Sequence, residues 1–284
     1  MIIIADGGST KTSWCLLTDT QQKIYFNTEG YNPYFSSTEY IIDSLKNNLP
    51  TDLARAEISE VYYYGAGCST DEKVGIVVKA MQTVFTAAKV YVGHDLLASA
   101  RALLGNKEGF AAILGTGTNT CLYDGKDITL NIDSLGYFLG DEGSGSFIGK
   151  RLLRDYMRGY MPENLRKIFF KTYGLSHADI FDNLYNKPLP NRFCASFSKF
   201  IYDNNNFAEY TRDVVGEAFT AFFNNLVSHY PNYKNYPLNC VGSVAYNFRD
   251  VLSEVAGKYG MQVGKIIRSP IDDLVQYHQD FPIS

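Results

Sequence analysis

The chain has 284 residues, long enough for two domains of ordinary size, and its 45% hydrophobic and 20% charged residues are those of a soluble globular protein. No apolar run approaches the length of a membrane span, and Met1-Ile2-Ile3-Ile4 lacks the basic start and longer apolar core of a signal peptide, so a cytoplasmic protein is expected. The net charge of -4, with Lys and Arg scattered, excludes the basic stripe that nucleic-acid binding needs.

In chain order, Ile2 to Ala5 predicts a first strand, followed by the turn Asp6-Gly7-Gly8-Ser9-Thr10 and a return strand from Ser13 to Leu17. Lys23 to Phe26 is a short third strand, and Gly30-Tyr31-Asn32-Pro33-Tyr34 is turn chemistry. A helix is expected from Thr38 to Asn47. Glu60 to Tyr64 is a strand ending at Gly65-Ala66-Gly67. Ser69-x-x-Glu72 matches a capping box opening a helix to about Ala88. Val90 to Val92 is a strand, after which Asp95 heads a helix from Leu96 to Leu104 that Gly105 ends.

From Phe110 the pattern restarts. Phe110 to Leu114 is a strand, Gly115-Thr116-Gly117-Thr118 a second glycine turn, and Cys121 to Tyr123 the return strand, with a hairpin signal at Asp124-Gly125. The recurrence predicts two structurally related lobes. Helices are expected over 144–158, 207–229 and 243–259, and Leu238 to Val241 is a strand. A last apolar-periodic piece runs from Pro270 to His278. The segment from Tyr160 to Arg192 has no clear pattern and is a candidate insertion. The five cysteines, Cys15, Cys68, Cys121, Cys194 and Cys240, are dispersed and odd in number. That argues against a disulfide framework or zinc site and for buried thiols in a reducing compartment.

Glycines let a backbone bend sharply and let an anion approach main-chain N–H groups. Each glycine turn alone is equally a plain hairpin, and neither a Walker-type loop nor a helix-opening Gly-x-Gly-x-x-Gly is present. Two of them, with the Asp6 carboxylate beside the first, point to a phosphate-binding device used twice, with Asp6 orienting a Mg²⁺-bound water. Asp95 has two readings. It is a helix N-cap, or it is a strand-end carboxylate that takes the proton of a sugar hydroxyl attacking a phosphate.

Gly140-Asp141-Glu142-Gly143-Ser144 is either a turn whose acids suit a helix N-terminus or a pair of acids facing a polyhydroxylated ligand. In the second case Gly136 and Gly140 bring the backbone near that ligand. Gly242-Ser243 is either a tight strand–helix junction or the place where adenosine meets the backbone. The four histidines have no metal-ligand spacing, so structural roles are expected of them.

The ordered set Asp6-Gly7-Gly8-Ser9-Thr10-Lys11-Thr12, Asp95, Gly115-Thr116-Gly117-Thr118-Asn119, Gly140-Asp141-Glu142-Gly143-Ser144 and Cys240-Val241-Gly242-Ser243 resembles the actin-like sugar-kinase superfamily. More closely, it resembles N-acetylglucosamine kinase-type members of the BadF/BadG/BcrA/BcrD ATPase family, over nearly the whole chain. The resemblance implies an α/β fold of two ribonuclease-H-like, actin-like ATPase lobes with an interdomain cleft. The first lobe is 1–107 joined by the C-terminal helix 270–284, and the second is 108–269. It implies ATP and Mg²⁺, and phosphorylation of an amino sugar, N-acetylglucosamine to N-acetylglucosamine 6-phosphate.

By this resemblance Gly8, Ser9, Thr10 and Lys11 form the first phosphate loop, and Gly115, Thr116 and Gly117 the second. Asp95 is the general base, Asp6 holds Mg²⁺ through water, and Gly242 and Ser243 meet adenosine. Asn32, Asp95, Gly136 and Asp141 contact the sugar. The partners implied are a small-molecule sugar and ATP, with no nucleic acid and no membrane, and a homodimer. Human-type members carry tryptophans near the sugar. Here Trp14 is the single tryptophan, and Tyr34, Leu135, Tyr137 and Phe138 occupy the comparable regions. The acceptor is therefore open between N-acetylglucosamine, glucosamine, N-acetylmuramic acid and another hexose. Two rivals stand beside this reading: an ATPase activating a partner enzyme through an iron–sulfur cluster, and a non-catalytic sugar-binding relative.

Overall fold

The computed structural model describes residues 1–8, 10–50 and 57–281. Its elements are β1 (Ile2–Gly7), β2 (Lys11–Leu17), β3 (Lys23–Glu29), α1 (Thr38–Asn48), β4 (Glu60–Gly65), α2 (Asp71–Val84), β5 (Lys89–His94) and α3 (Asp95–Leu104). There follow β6 (Glu108–Leu114), β7 (Thr118–Asp124), β8 (Ile128–Asn131), α4 (Gly136–Leu139), α5 (Gly145–Arg158), α6 (Glu163–Tyr173), α7 (His177–Tyr185), α8 (Pro190–Ser196) and α9 (Ser198–Asp203). The chain closes with α10 (Ala208–Asn225), β9 (Leu238–Val241), α11 (Ser243–Asn247), α12 (Arg249–Lys258), β10 (Val263–Ile267) and α13 (Ile271–Asp280).

These elements form two compact units. Unit 1 is Met1–Lys107 with Gly125–Asp127 and Ser269–Ser284, and unit 2 is Glu108–Asp124 with Ile128–Arg268. Unit 1 carries a five-stranded sheet in the order β3-β2-β1-β4-β5. β1, β2 and β3 are antiparallel neighbours joined by short turns, whereas β1, β4 and β5 are parallel. Parallel strands need a crossover, and α1 and α2 supply the two crossovers here. Unit 2 repeats the plan as β8-β7-β6-β9-β10, with β6, β9 and β10 parallel.

In unit 1, α1 packs on α2, and α3 packs on α13, which also lies against β1 and β2. β1 is therefore covered, which explains its uninterrupted Ile run. Ile3, Ala5, Val61 and Tyr63 share a core with Ile41 and Leu45 of α1 and Val77 and Met81 of α2. In unit 2, Phe110, Ala112 and Leu114 of β6 meet Ile148 and Leu152 of α5, Phe219 and Phe222 of α10, and Leu252 of α12.

Several elements differ from expectation. The helix expected from Ser69 starts at Asp71 with Thr70 as N-cap, its hydroxyl accepting from the Lys73 N–H at 3.4 Å. The Ser69 hydroxyl instead meets that of Tyr34 at 3.2 Å, so no capping box forms. The helix expected over 207–229 ends at Asn225 and turns through a 3-10 segment at Val227–His229. That turn lets the Tyr230 hydroxyl accept from the Ile132 N–H at 2.8 Å. The helix expected over 243–259 breaks at Phe248, which is buried against Tyr202. Strands β8 and β10 and the helices of 160–192 were not anticipated.

Trp14 is fully buried, stacks on Phe26 at 5.6 Å and donates its indole N–H to Thr28 Oγ1 at 2.9 Å. Thr28→Val leaves that buried donor without a partner and is expected to cost about 1–3 kcal/mol. Because Trp14 is the only tryptophan, denaturant unfolding followed by its fluorescence reads the loss directly.

Candidate active site

In unit 1, the parallel register aligns Gly7 with Gly65 and Gly65 with His94, so β1, β4 and β5 end at one edge. Asp6 lies one residue inside that edge, and Asp95 is the first residue of α3 beyond it. The expected N-cap role of Asp95 is corrected. His94 is the N-cap, with extended φ -78° and ψ 144°, and Asp95 opens the first turn. Asp95 Oδ1 accepts from the Leu96 N–H at 2.8 Å and lies 2.8 Å from His94 Nδ1. The His94 imidazole is held above its usual range chiefly by this hydrogen bond.

Asp6 feels the charge of Asp95. Burial, and after it the Asp95 carboxylate, push Asp6 from 3.8 up to about 7, against the pull of Lys11. The glycines of this edge have a packing cause. A Cβ on Gly7 would stand 2.3 Å from the Tyr63 hydroxyl, and one on Gly65 2.4 Å from the Tyr63 ring. Tyr63 is fully buried and donates to the Tyr31 carbonyl at 3.2 Å. Asn32 builds an Asx turn, its Oδ1 accepting from the Tyr34 N–H at 3.0 Å, and its side chain lies against Gly67 beyond β4. Thr10 and Lys11 are exposed, and Ser9, expected in the first phosphate loop, lies outside the described residues.

In unit 2, the turn Gly115-Thr116-Gly117 is anchored by its carbonyls. Gly115 O accepts from the Gly145 N–H at 2.8 Å, and Thr116 O from the Ser146 N–H at 3.1 Å, both at the start of α5. In a planar trans peptide the following N–H points the opposite way, so the Thr116 and Gly117 amides face away from α5. Among the described residues these amides and the Thr116 hydroxyl have no hydrogen-bond partner. Outward N–H groups beside an open glycine are the donor set an anion needs.

Asp141 holds this turn from the other side. Its Oδ1 accepts from the Thr118 N–H at 3.0 Å, and a Cβ on Gly117 would stand 3.0 Å from both of its carboxylate oxygens. Asp141 is buried, with φ 56° in the left-handed region, and burial raises its carboxyl while the Thr118 N–H opposes the rise. Glu142 O accepts from the Thr118 hydroxyl at 2.6 Å. Gly136 is exposed at the start of α4.

Gly242 has φ 128°, and a Cβ there would lie 2.2 Å from the Leu114 carbonyl. That close approach sets the β9–α11 junction directly against the Gly115 turn. Beside it opens a cavity of about 250 Å³ lined by Ser198, Lys199, Tyr202, Ser243, Asn247 and Arg268. Ser198 reaches back to Gly145, and Arg268 donates to Asn247 Oδ1 at 2.6 Å. Of these residues only Ser243 was expected at a site. The others arrive from three separate segments with no local signature. Lys150, another residue not anticipated, binds the Tyr137 carbonyl. All five cysteines are buried, and burial holds each thiol above its ordinary range, as packing groups require.

The raised Asp6 carboxyl has a definite sign. Its pKa is higher folded than unfolded, so the folded state binds the extra proton and stability falls as pH rises from about 4 through about 7. Asp6→Asn is expected to raise metal-free stability at pH 8 by on the order of 2–4 kcal/mol. The gain should shrink as pH falls and be absent near pH 4. Thermal unfolding across that range checks it, and a pH-independent difference would contradict the coupling.

No protein-family model and no curated protein matches the sequence. Among solved structures, the chain is similar to a putative N-acetylglucosamine kinase from Porphyromonas gingivalis, at 39% identity and a TM-score of 0.94, covering all of both chains. It is similar in fold to a putative N-acetylglucosamine kinase from Chromobacterium violaceum, at 17% identity and a TM-score of 0.67, over 97% of this chain and 98% of that one. A ROK family glucokinase from Streptomyces griseus, in complex with glucose and AMPPNP, matches in fold at 14% identity and a TM-score of 0.58, over 98% of each chain. The two five-stranded sheets are those of actin-like ATPases. With full-length identity of 39% on that fold, the chain belongs to the N-acetylglucosamine kinase-type family of actin-like sugar kinases.

Proposed function

We propose that the protein transfers the γ-phosphoryl group of ATP to an amino sugar, N-acetylglucosamine giving N-acetylglucosamine 6-phosphate, with Asp95 as general base. The observation that carries this reading is the carboxylate pair Asp6 and Asp95 at the common edge of β1, β4 and β5. The acceptor hydroxyl oxygen forms a bond to the γ-phosphorus as the bond to the bridging oxygen of ADP breaks. The hydroxyl proton passes to Asp95.

Asp6 fits a hydrated magnesium ion. It is a hard oxygen donor whose buried negative charge, beside a second carboxylate, lacks compensation except from Lys11. Among the described residues no group of three His, Cys, Asp or Glu side chains forms a dedicated metal cage, which suits an ion held largely by water and substrate phosphates. Bound there, Mg²⁺ would supply charge neutralisation for the phosphates.

For the nucleotide, we assign Gly8, Ser9, Thr10 and Lys11 in unit 1 and Gly115, Thr116 and Gly117 in unit 2 to the phosphates. The outward amides of Thr116 and Gly117 support the second set. Gly242 and Ser243 are assigned to adenosine, and the adjoining cavity supports that, with Lys199, Tyr202 and Arg268 as further contacts. For the sugar, Asn32, Asp95, Gly136 and Asp141 are assigned. Asp141 also positions the phosphate turn through Thr118. Among the described residues no helix is long and apolar enough to cross a membrane.

Mg²⁺-dependent ADP release over a panel of amino sugars and plain hexoses tests the reading. Release is expected with N-acetylglucosamine, and Asp95→Asn should lower it by about 10²–10⁴-fold with folding retained. Near-normal turnover in that variant removes Asp95 from the chemistry. Release with every hexose alike removes the acetamido preference.

A further inference from the structure

We propose that His94 is a positioning residue for the phosphoryl transfer, its Nδ1–H holding Asp95 by Oδ1 so that Oδ2 is presented to the acceptor hydroxyl. The inference rests on the reading of Asp95 as base. It starts from how the two Asp95 oxygens are used. Oδ1 lies 2.8 Å from His94 Nδ1 and accepts from the Leu96 N–H at 2.8 Å. Oδ2 has no hydrogen-bond partner among the described residues. One oxygen is therefore fixed twice, and the other is left for a ligand.

The tautomer follows from the distances. The Leu96 N–H is 3.3 Å from His94 Nδ1 but 2.8 Å from Asp95 Oδ1, so Asp95 is its main acceptor. An unprotonated Nδ1 at 2.8 Å from a carboxylate oxygen would set lone pair against lone pair. Nδ1 therefore carries hydrogen and donates. His94 is in turn fixed by the sheet, where it pairs with Gly65 at the end of β5.

The neighbourhood suits a working pair. The side chains of His94 and Asp95 keep 33% and 22% of their surface exposed, so the pair is accessible. As a helix cap, His94 is poor: with Nδ1 protonated it has no acceptor for the Leu96 N–H 3.3 Å away, and Ser, Asn or Asp would serve α3 better. In the reaction His94 keeps its proton. The hydroxyl proton goes to Asp95 Oδ2, while the Nδ1–H bond to Oδ1 holds the carboxyl group in place.

His94→Asn and His94→Gly separate positioning from capping. Both residues are tolerated at an N-cap, so α3 should form in both. Asparagine can place its amide N–H where Nδ1–H stands, whereas glycine has no donor. In the sugar-dependent assay, His94→Gly is expected to lower kcat by about 10–100-fold with little change in KM or Tm, and His94→Asn to recover most of it. Equal kcat in His94→Gly and in an active wild type overturns the inference and leaves the kinase reading standing. Equal losses in both variants also overturn it, since the donor is then not what matters. A wild-type protein without sugar-dependent ADP release removes the reading of Asp95 as base and the inference with it.

Discussion

The parallel pairing of β1 with β4, and of β4 with β5, is the constraint on which the chemistry of unit 1 depends. Parallel strands finish at the same edge of a sheet, and ligands of open α/β sheets bind beyond that edge. Asp6 and Asp95 are far apart in sequence, yet the register leaves them within electrostatic reach. Neither can retreat. Asp6 is fixed in a ladder rung opposite Ser13 and Tyr64, and Asp95 by its contacts with His94 and Leu96. A rigid scaffold that holds two carboxylates close must relieve the repulsion with a proton or a cation.

Unit 2 repeats the strand order with the opposite chemistry. β6 ends in Ile113-Leu114 where β1 ends in Asp6-Gly7, and β10 is followed by Arg268 where β5 is followed by Asp95. The acids of the first edge are replaced by apolar residues, outward amides and a guanidinium. One architecture therefore presents paired carboxylates at the edge of unit 1 and outward amides with a guanidinium at the edge of unit 2. The fold is repeated, while each edge carries its own set of polar groups.

The strands flanking both glycine turns, the helix from Gly145 and the last helix were legible in the sequence, because each is written in local periodicity and turn chemistry. β8 and β10 were not. Both are edge strands with no buried residue, so no buried apolar run marks them, and only pairing with β7 and β9 defines them. The break at Phe248 was hidden for the opposite reason: an apolar residue looks the same continuing a helix or leaving it to fill a core. At the candidate site, Asp6 and Asp95 stood out as acids at strand ends. His94 did not, since a lone histidine carries no spacing signal. The hold of Asp141 on Thr118 depends on a left-handed backbone at a non-glycine residue, which no pattern announces.

The two glycine turns look alike in sequence and are glycine-rich for different physical reasons. At Gly7 and Gly65 a side chain is forbidden from behind by Tyr63, a buried ring that needs both backbones to pass close. At Gly115 nothing stands within 4 Å of where a Cβ would be. No packing neighbour therefore demands glycine there, and the turn is shaped instead by the carbonyls that α5 holds. At Gly7 and Gly65, then, glycine answers to packing. At the second turn, the Gly115 and Thr116 carbonyls are committed to α5, which leaves the following amides pointing outward. A motif of glycines and hydroxyl residues thus marks a strand edge in each unit without saying what that edge presents. Outward amides set that in unit 2, and paired carboxylates set it in unit 1.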